Sequence, residues 1–393
     1  MSRTNYTDDA PWLGENPMSS AVKVGDFVFL AGQTALNPDG SIGYPGDLTG
    51  QTKVAFERLI SSLEQAGGTV DDLVDLLLFT SDPRALLPAM NVGAEFLPAG
   101  SEPAVTAVGS TGAVSPEALV TLRGIAVLGD EPKQCITPDP SWWTSMPASA
   151  ACRKGDMVFV SGQVSVDSDG AIIAPGSHAG QAREALDEVS RLLREAGGSL
   201  DDLLDMLSFH RDARGMDEVA DPMEATYPNA TPATSPAWTA IGATALYSAD
   251  MMGIYRAIAD LSPGERTAKI ADSVWWKDMK IAGVSKKEGG TFVGIAGQVS
   301  SDGDGEIMHS GDVAAQAEYC LQQLDDCLQL HGGSVADIVE VTAYHKDPRD
   351  WETVTEVAAG VFGDNRPAWT SVGCTGLYQE GYLHEIHALA VIE

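Results

Sequence analysis

Two histidines and a glutamate stand out near the end of this 393-residue chain: His345 in Tyr344-His345-Lys346-Asp347, then Glu385 and His387 in Glu385-Ile386-His387. Side chains two apart on a strand share a face. An imidazole beside a carboxylate can move protons near neutral pH. Glu385, His345 and His387 are therefore candidate catalytic residues if the fold gathers them. The same three could hold a metal. Arg123, Arg256 and His210 are further polar candidates, and Trp238 and Trp369 can stack on a planar or cationic ligand. Each also has a bland reading. A strand-end histidine can be a satisfied structural residue, the arginines can pair with surface acids, and the tryptophans can pack an interface.

The elements that must position these residues repeat three times. Gly32-Gln33, Gly162-Gln163 and Gly297-Gln298 each close an apolar run, at offsets of 130 and 135 residues. A glutamine opening a helix recurs at Gln51, Gln181 and Gln316. A glycine pair stops that helix at Gly67-Gly68, Gly197-Gly198 and Gly332-Gly333. A Pro-Ala-x-Thr box closes each unit from Pro103, Pro236 and Pro367. A repeat this long is a domain, not a solenoid turn. The expected domains are 1–130, 131–263 and 264–393.

Within unit one, Ala21–Ala31 reads as strand broken at Gly25-Asp26, and Val54, Phe56, Leu59, Ile60 and Leu63 as a helical stripe. Val74–Phe79 is a buried strand, Asp82-Pro83 opens a second helix, and Ala104–Val108 and Val120–Leu128 are strands. The order is β-β-α-β-α-β-β, with room for an extra edge strand. Helices at Gln181–Ala196, Met216–Tyr227, Gln316–Leu330 and Trp351–Phe362 repeat it. The expectation is α+β, with three sheets meeting in a central barrel-like core. Gly129–Pro140 and Ser262–Ser273 read as linkers. Each precedes a tryptophan pair, Trp142-Trp143 and Trp275-Trp276, with Trp12 at the matching place in unit one. These aromatics either staple the segment to its core or wall a cleft.

The chain holds 56 acidic and 24 basic residues, a net charge of −32. Such a surface repels phosphate backbones and anionic membranes, so neither nucleic acid nor membrane is an expected partner. The start, Met1 to Asp9, has no apolar signal core, and the expected compartment is the cytoplasm. Cys320 and Cys327 share a helical face, whereas Cys135, Cys152 and Cys374 stand alone in sequence, so no disulfide framework is expected.

In order and spacing these motifs resemble the Rid superfamily, the reactive intermediate deaminases (YjgF-like). The carriers are Ser161-Gly162-Gln163, Ala315-Gln316-Ala317, Ala196-Gly197-Gly198 and Glu385-Ile386-His387-Ala388-Leu389-Ala390. The resemblance implies a chorismate-mutase-like α+β fold, here as an intramolecular pseudo-trimer, with further dimerisation open. It implies ligand clefts between units, hydrolysis of enamines or imines, and no cofactor or metal. The arginine that the deaminases carry after Pro-Ala is replaced by Val105, Trp238 and Trp369. The acidic residue of the last strand survives once, at Glu385, where Thr121 and Ile254 align. The reading is a hydrolase or deaminase-like enzyme acting on a planar nitrogen-containing metabolite. Glu385, His345 and His387 would do acid/base work, and Trp369, Gly297, Gln298, Trp238, His210, Arg256 and Arg123 would bind substrate. The alternative is a metabolite-binding or regulatory protein that has lost the arginine and catalysis with it.

Overall fold

In a computed structural model, which describes residues 1–7, 18–138, 146–227, 231, 233–277 and 279–393, each unit is a six-stranded sheet with helices on one face. Trp12, Trp142 and Trp143 lie outside the described residues. Unit one runs β1 (Arg3–Tyr6), β2 (Ala21–Val24), β3 (Phe27–Gln33), α1 (Leu48–Gln65), β4 (Leu73–Thr80), α2 (Leu86–Gly93), β5 (Ala104–Gly109) and β6 (Val120–Val127). Unit two follows with β7 (Gln134–Ile136), β8 (Ala151–Lys154), β9 (Met157–Gln163), α3 (His178–Glu195), β10 (Leu203–His210), α4 (Ala220–Thr226), β11 (Ala237–Gly242) and β12 (Gly253–Asp260). Unit three closes the chain with β13 (Arg266–Lys269), β14 (Val284–Lys287), β15 (Phe292–Gln298), α5 (Val313–Gln329), β16 (Ile338–His345), α6 (Trp351–Phe362), β17 (Ala368–Gly373) and β18 (His384–Val391).

The first sheet is ordered β1-β2-β3-β6-β4-β5, and the other two repeat that order. Pairing is antiparallel except β4–β5, β10–β11 and β16–β17, which α2, α4 and α6 cross over. Both stretches read as linkers contain an edge strand, β7 and β13. These strands are only three or four residues long, too short for a periodicity argument. No described helix is long and apolar enough to cross a membrane.

The triplicated glutamine is a clamp. Gln316 donates to the His309 and Gly381 carbonyls and accepts from the Leu383 N–H, pinning the start of β18 to the start of α5. Gln51 and Gln181 do the same in their units. Asp47, Ser177 and Asp312 cap the first helices. Gly67, Gly197 and Gly332 end them at φ of 87°, 89° and 80°, a conformation that disfavours any side chain.

The units join at three equivalent seams. The N–H groups of Ser19, Ser149 and Ala282 donate to the carbonyls of Pro367, Pro103 and Pro236 of a neighbouring unit. The helix-free faces of the sheets meet on a common axis. Phe79, Phe209 and Tyr344, at equivalent positions, form a triangle with ring centroids 6.0, 6.1 and 6.2 Å apart.

Beside them lies a buried ring of charges. Asp75, Asp205 and Glu340 occupy one equivalent position, Arg123, Arg256 and His387 another, and all six are buried. Each of the two arginines and the histidine reaches an acid of a different unit. Arg256 donates to both oxygens of Asp75 at 2.9 and 2.7 Å. His387 Nε2 lies 3.0 Å from Asp205 Oδ1. Arg123 Nε lies 3.6 Å from Glu340 Oε1. Burial disfavours the Arg256 charge, but the Asp75 carboxylate overrides it and drives the guanidinium further up.

Candidate functional site

Four of the expected residues converge on one cavity between units two and three. Glu385 and Gly297 come from unit three, His210 and Trp238 from unit two. Ala220 and Met223 of α4 and Met216 just before it form one wall. Trp275, Trp276, Met279, Ile281 and Tyr378 form the other. The cavity volume is about 120 Å³, close to the roughly 150 Å³ of an engineered apolar cavity that admits benzene.

Glu385 is the acid of this cavity, and the backbone explains its pose. It sits on β18 directly opposite Tyr344 of β16, on the axis-facing side of the sheet. Its Oε1 lies 2.2 Å from where a Cβ on Gly297 would stand. Glycine in the Gly-Gln motif of unit three thus makes room for the carboxyl. The Gly297 N–H donates to Thr239 Oγ1 of unit two at 2.7 Å, fixing this crossing of the units. Glu385 makes no hydrogen bond or ion pair among the described residues. Desolvation pushes its carboxyl up to about 8, so at neutral pH it is mostly a neutral acid.

His210 is held by a relay. The Trp238 indole N–H donates to Ser208 Oγ at 2.8 Å, and Ser208 Oγ lies 2.9 Å from His210 Nε2. Indole only donates, so Ser208 Oγ accepts from Trp238, and its own proton can go either to His210 Nε2 or to the Thr239 carbonyl 3.4 Å away. His210 Nδ1 has no partner among the described residues. Burial, reinforced by His178, lowers His210 to about 3. The imidazole is neutral, with its Nδ1 free to donate or accept according to tautomer. The outer rim is aromatic. Tyr378 stacks on Trp275 with centroids 4.6 Å apart, and its hydroxyl donates to Asp217 of unit two at 2.6 Å.

The other expected site residues lie elsewhere. His345 does not join Glu385. It is opposite His384, one residue away in register, and therefore faces the helices while Glu385 faces the axis. Its ring packs 6.2 Å from that of His384, and burial lowers His345 to about 3. His387, Arg123 and Arg256 belong to the axial ring described above, where their partners are core acids. Trp369 packs on Phe362 and donates to Ser371 Oγ at 2.9 Å within unit three. Gln298 is buried and donates to the Ala296 carbonyl at 2.7 Å. No group of three metal-ligating side chains forms among the described residues.

Sequence reasoning missed Ser208, the methionines of the α4 wall and Tyr378. The methionine density of 216–223 was the available signal, since flexible thioethers suit binding surfaces. Neither equivalent crossing has the acid, since Thr121 and Ile254 align with Glu385. Val105 and Ile254 replace Trp238 and Glu385 between units one and two, where a small cavity is lined by Phe56, Leu76, Leu78, Met90, Val105 and Pro147 among others.

The Endoribonuclease L-PSP family model matches residues 9–128, 144–254 and 284–392, so the chain belongs to that family, the Rid superfamily, and carries it three times in tandem. A RutC family protein of Pyrococcus horikoshii is 37% identical over 105 residues, 26% of this chain and 82% of that protein. The RutC family protein YjgH of Escherichia coli is 38% identical over 98 residues, 25% of this chain and 73% of its own length. A chorismatase crystal structure superposes with a TM-score of 0.55 at 15% identity, covering 81% of this chain and 93% of that one. That likeness shows the α+β fold alone. Family membership supports a deaminase- or hydrolase-like, or metabolite-binding, role toward small molecules.

Proposed function

We propose that the cleft between units two and three binds an uncharged, ring-sized, nitrogen-containing molecule and hydrolyses its C–N bond, with Glu385 as general acid. The observation that carries this is the buried, unpaired Glu385 carboxyl, held over Gly297 and facing a cavity walled by aromatic and methionine side chains. Its polar equipment includes the neutral Glu385 acid, the neutral His210 imidazole, the indole N–H groups of Trp275 and Trp276, unpartnered among the described residues, and the Asp217–Tyr378 pair at the rim. Among the described residues no arginine or lysine lines the cavity, so a carboxylate substrate would enter without a counter-charge, which is costly. An aryl imine or enamine suits these groups. Glu385 protonates it, water adds at the imine carbon, and the carbon–nitrogen bond breaks to leave a carbonyl compound and an amine. His210 Nδ1 can hold the adding water or a polar atom of the substrate.

The test is turnover of neutral aryl imines and enamines above the spontaneous rate, read as amine release. Glu385→Gln should fall to background, and the wild-type rate should decline above about pH 8 as the acid ionises. A Gln variant as fast as wild type overturns the assignment. The loss of the deaminase arginine at Val105, Trp238 and Trp369 favours a second reading, binding without conversion. A molecule that raises the melting temperature and is recovered intact after long incubation would decide for it.

A further inference from the structure

The seam between units one and two carries a feature the other seams lack. Cys135 of β7 and Cys152 of β8 face each other in register. The equivalent pairs are Asn5 with Val22 and Ala268 with Ser285. Directly opposed residues in an antiparallel pair have Cα atoms about 4.5 or 5.5 Å apart, and both values lie inside the roughly 4.4–6.8 Å that a disulfide spans. The two sulfurs also converge on one atom. Cys135 Sγ and Cys152 Sγ lie 3.4 and 3.3 Å from the Glu102 carbonyl oxygen of unit one. Ser149 Oγ donates to that same oxygen at 2.7 Å. Cys135 is partly exposed and Cys152 is buried.

We propose that Cys135 and Cys152 form a redox-active dithiol whose oxidant is a low-molecular-weight disulfide. The Cys135 thiolate attacks one sulfur of that disulfide. A protein–small-molecule S–S bond forms as the original S–S bond breaks, and one thiolate leaves and takes a proton from solvent. Cys152 then releases its proton to solvent, and its sulfur attacks the Cys135 sulfur, expelling the second thiolate. Two protein thiols are oxidised and one small disulfide is reduced to two thiols.

The roles follow from the surroundings. A hydrogen bond from Cys152 lowers the Cys135 thiol to about 6, assisted by Ser149 and by the nearby Lys133 ammonium against partial burial and Glu102. Burial pushes Cys152 well up, which suits the resolving thiol. Lys133 is fixed by donating to the Leu73 and Ser101 carbonyls at 2.8 and 2.7 Å. The bond would lie within the sheet of unit two, joining β7 to β8 beside the Glu102 carbonyl of unit one. It depends on this seam alone and is independent of the reading of the Glu385 cleft.

The experiment is incubation of the full chain with oxidised glutathione, followed by intact mass and non-reducing peptide mapping. Wild type should lose two hydrogens without keeping an adduct, with the Cys135 and Cys152 peptides cross-linked. Cys152→Ser should stop at one glutathione on Cys135. Cys135→Ser should react about tenfold or more slowly, because the remaining thiols are buried. No reaction of wild type, a wild type that stops at the adduct, or a Cys135→Ser variant oxidised at the wild-type rate would each overturn the proposal.

Discussion

Replacing Glu385 by glutamine keeps the side chain's shape and removes its titration. If the carboxyl is as desolvated as the structure shows, the variant should be more stable than the parent, and increasingly so with pH. The folded carboxyl titrates near 8 against 4.5 for the ordinary group. Between those values the unfolded chain has given up a proton that the folded chain still holds. The unfolded state therefore binds fewer protons, and stability falls as pH rises. The slope is about 1.4 kcal/mol per pH unit, so the loss attributable to Glu385 approaches about 3 kcal/mol at pH 7 and levels off near 5 above pH 8. Below pH 4.5 both states are protonated and it vanishes. Denaturant unfolding of parent and Glu385→Gln at half-unit steps from pH 4.5 to 9 measures the difference directly. A parent–variant gap that stays flat across that window would refute the buried, unpaired state of this acid, and the general-acid assignment with it.

Gly297→Ala should drive the Glu385 carboxyl from its position, since the added methyl would lie 2.2 Å from Oε1 and 2.7 Å from Thr239 Cγ2. A destabilisation of about 1–3 kcal/mol and loss of ligand-induced thermal shift are expected, read by calorimetry with and without ligand. On the axis, Arg256→Met should cost about 3–5 kcal/mol by stranding Asp75. Arg123→Met should cost less, because Arg123 makes only a 3.6 Å ion pair and its guanidinium nitrogens hold no hydrogen bond among the described residues. Paired unfolding curves of the two variants check the order.

The parts of the molecule that are local and repeated were legible in the sequence. Strands, first helices, glycine stops and the three-unit plan follow from apolar periodicity and recur at fixed offsets. α6 occupies Trp351–Phe362 as its pattern indicates. The candidate site was harder because it depends on register and on which unit faces which. His345 and Glu385 are both strand-end residues of unit three, yet a one-residue difference in pairing puts them on opposite faces of the sheet. Glu385 instead meets His210 of unit two, 175 residues earlier in sequence. The axial ring left a clearer trace. A carboxylate inside an apolar strand at Asp75, Asp205 and Glu340 recurs with the repeat, and buried acids require partners. Reading those three together with Arg123, Arg256 and His387 identifies the latter as core ion pairs rather than ligand contacts.

Fusion of the three units explains why both ring and cleft can be mixed. In an assembly of identical subunits, a substitution at the axis appears three times at one point, and three copies of any cation must coexist. Here two arginines and a histidine share the ring, and His387 pairs with an aspartate that Arg256 also approaches, at 3.8 Å. The same freedom acts at the interfaces. Among the described residues, only the crossing of unit two with unit three combines Trp238, His210 and Glu385, and only unit two opposes two cysteines, beside the Glu102 carbonyl of unit one. Each feature needs residues at equivalent positions to differ between units, which a threefold repeat of one gene product forbids. The chemistry of this chain is therefore to be sought where its repeats disagree beside a shared interface.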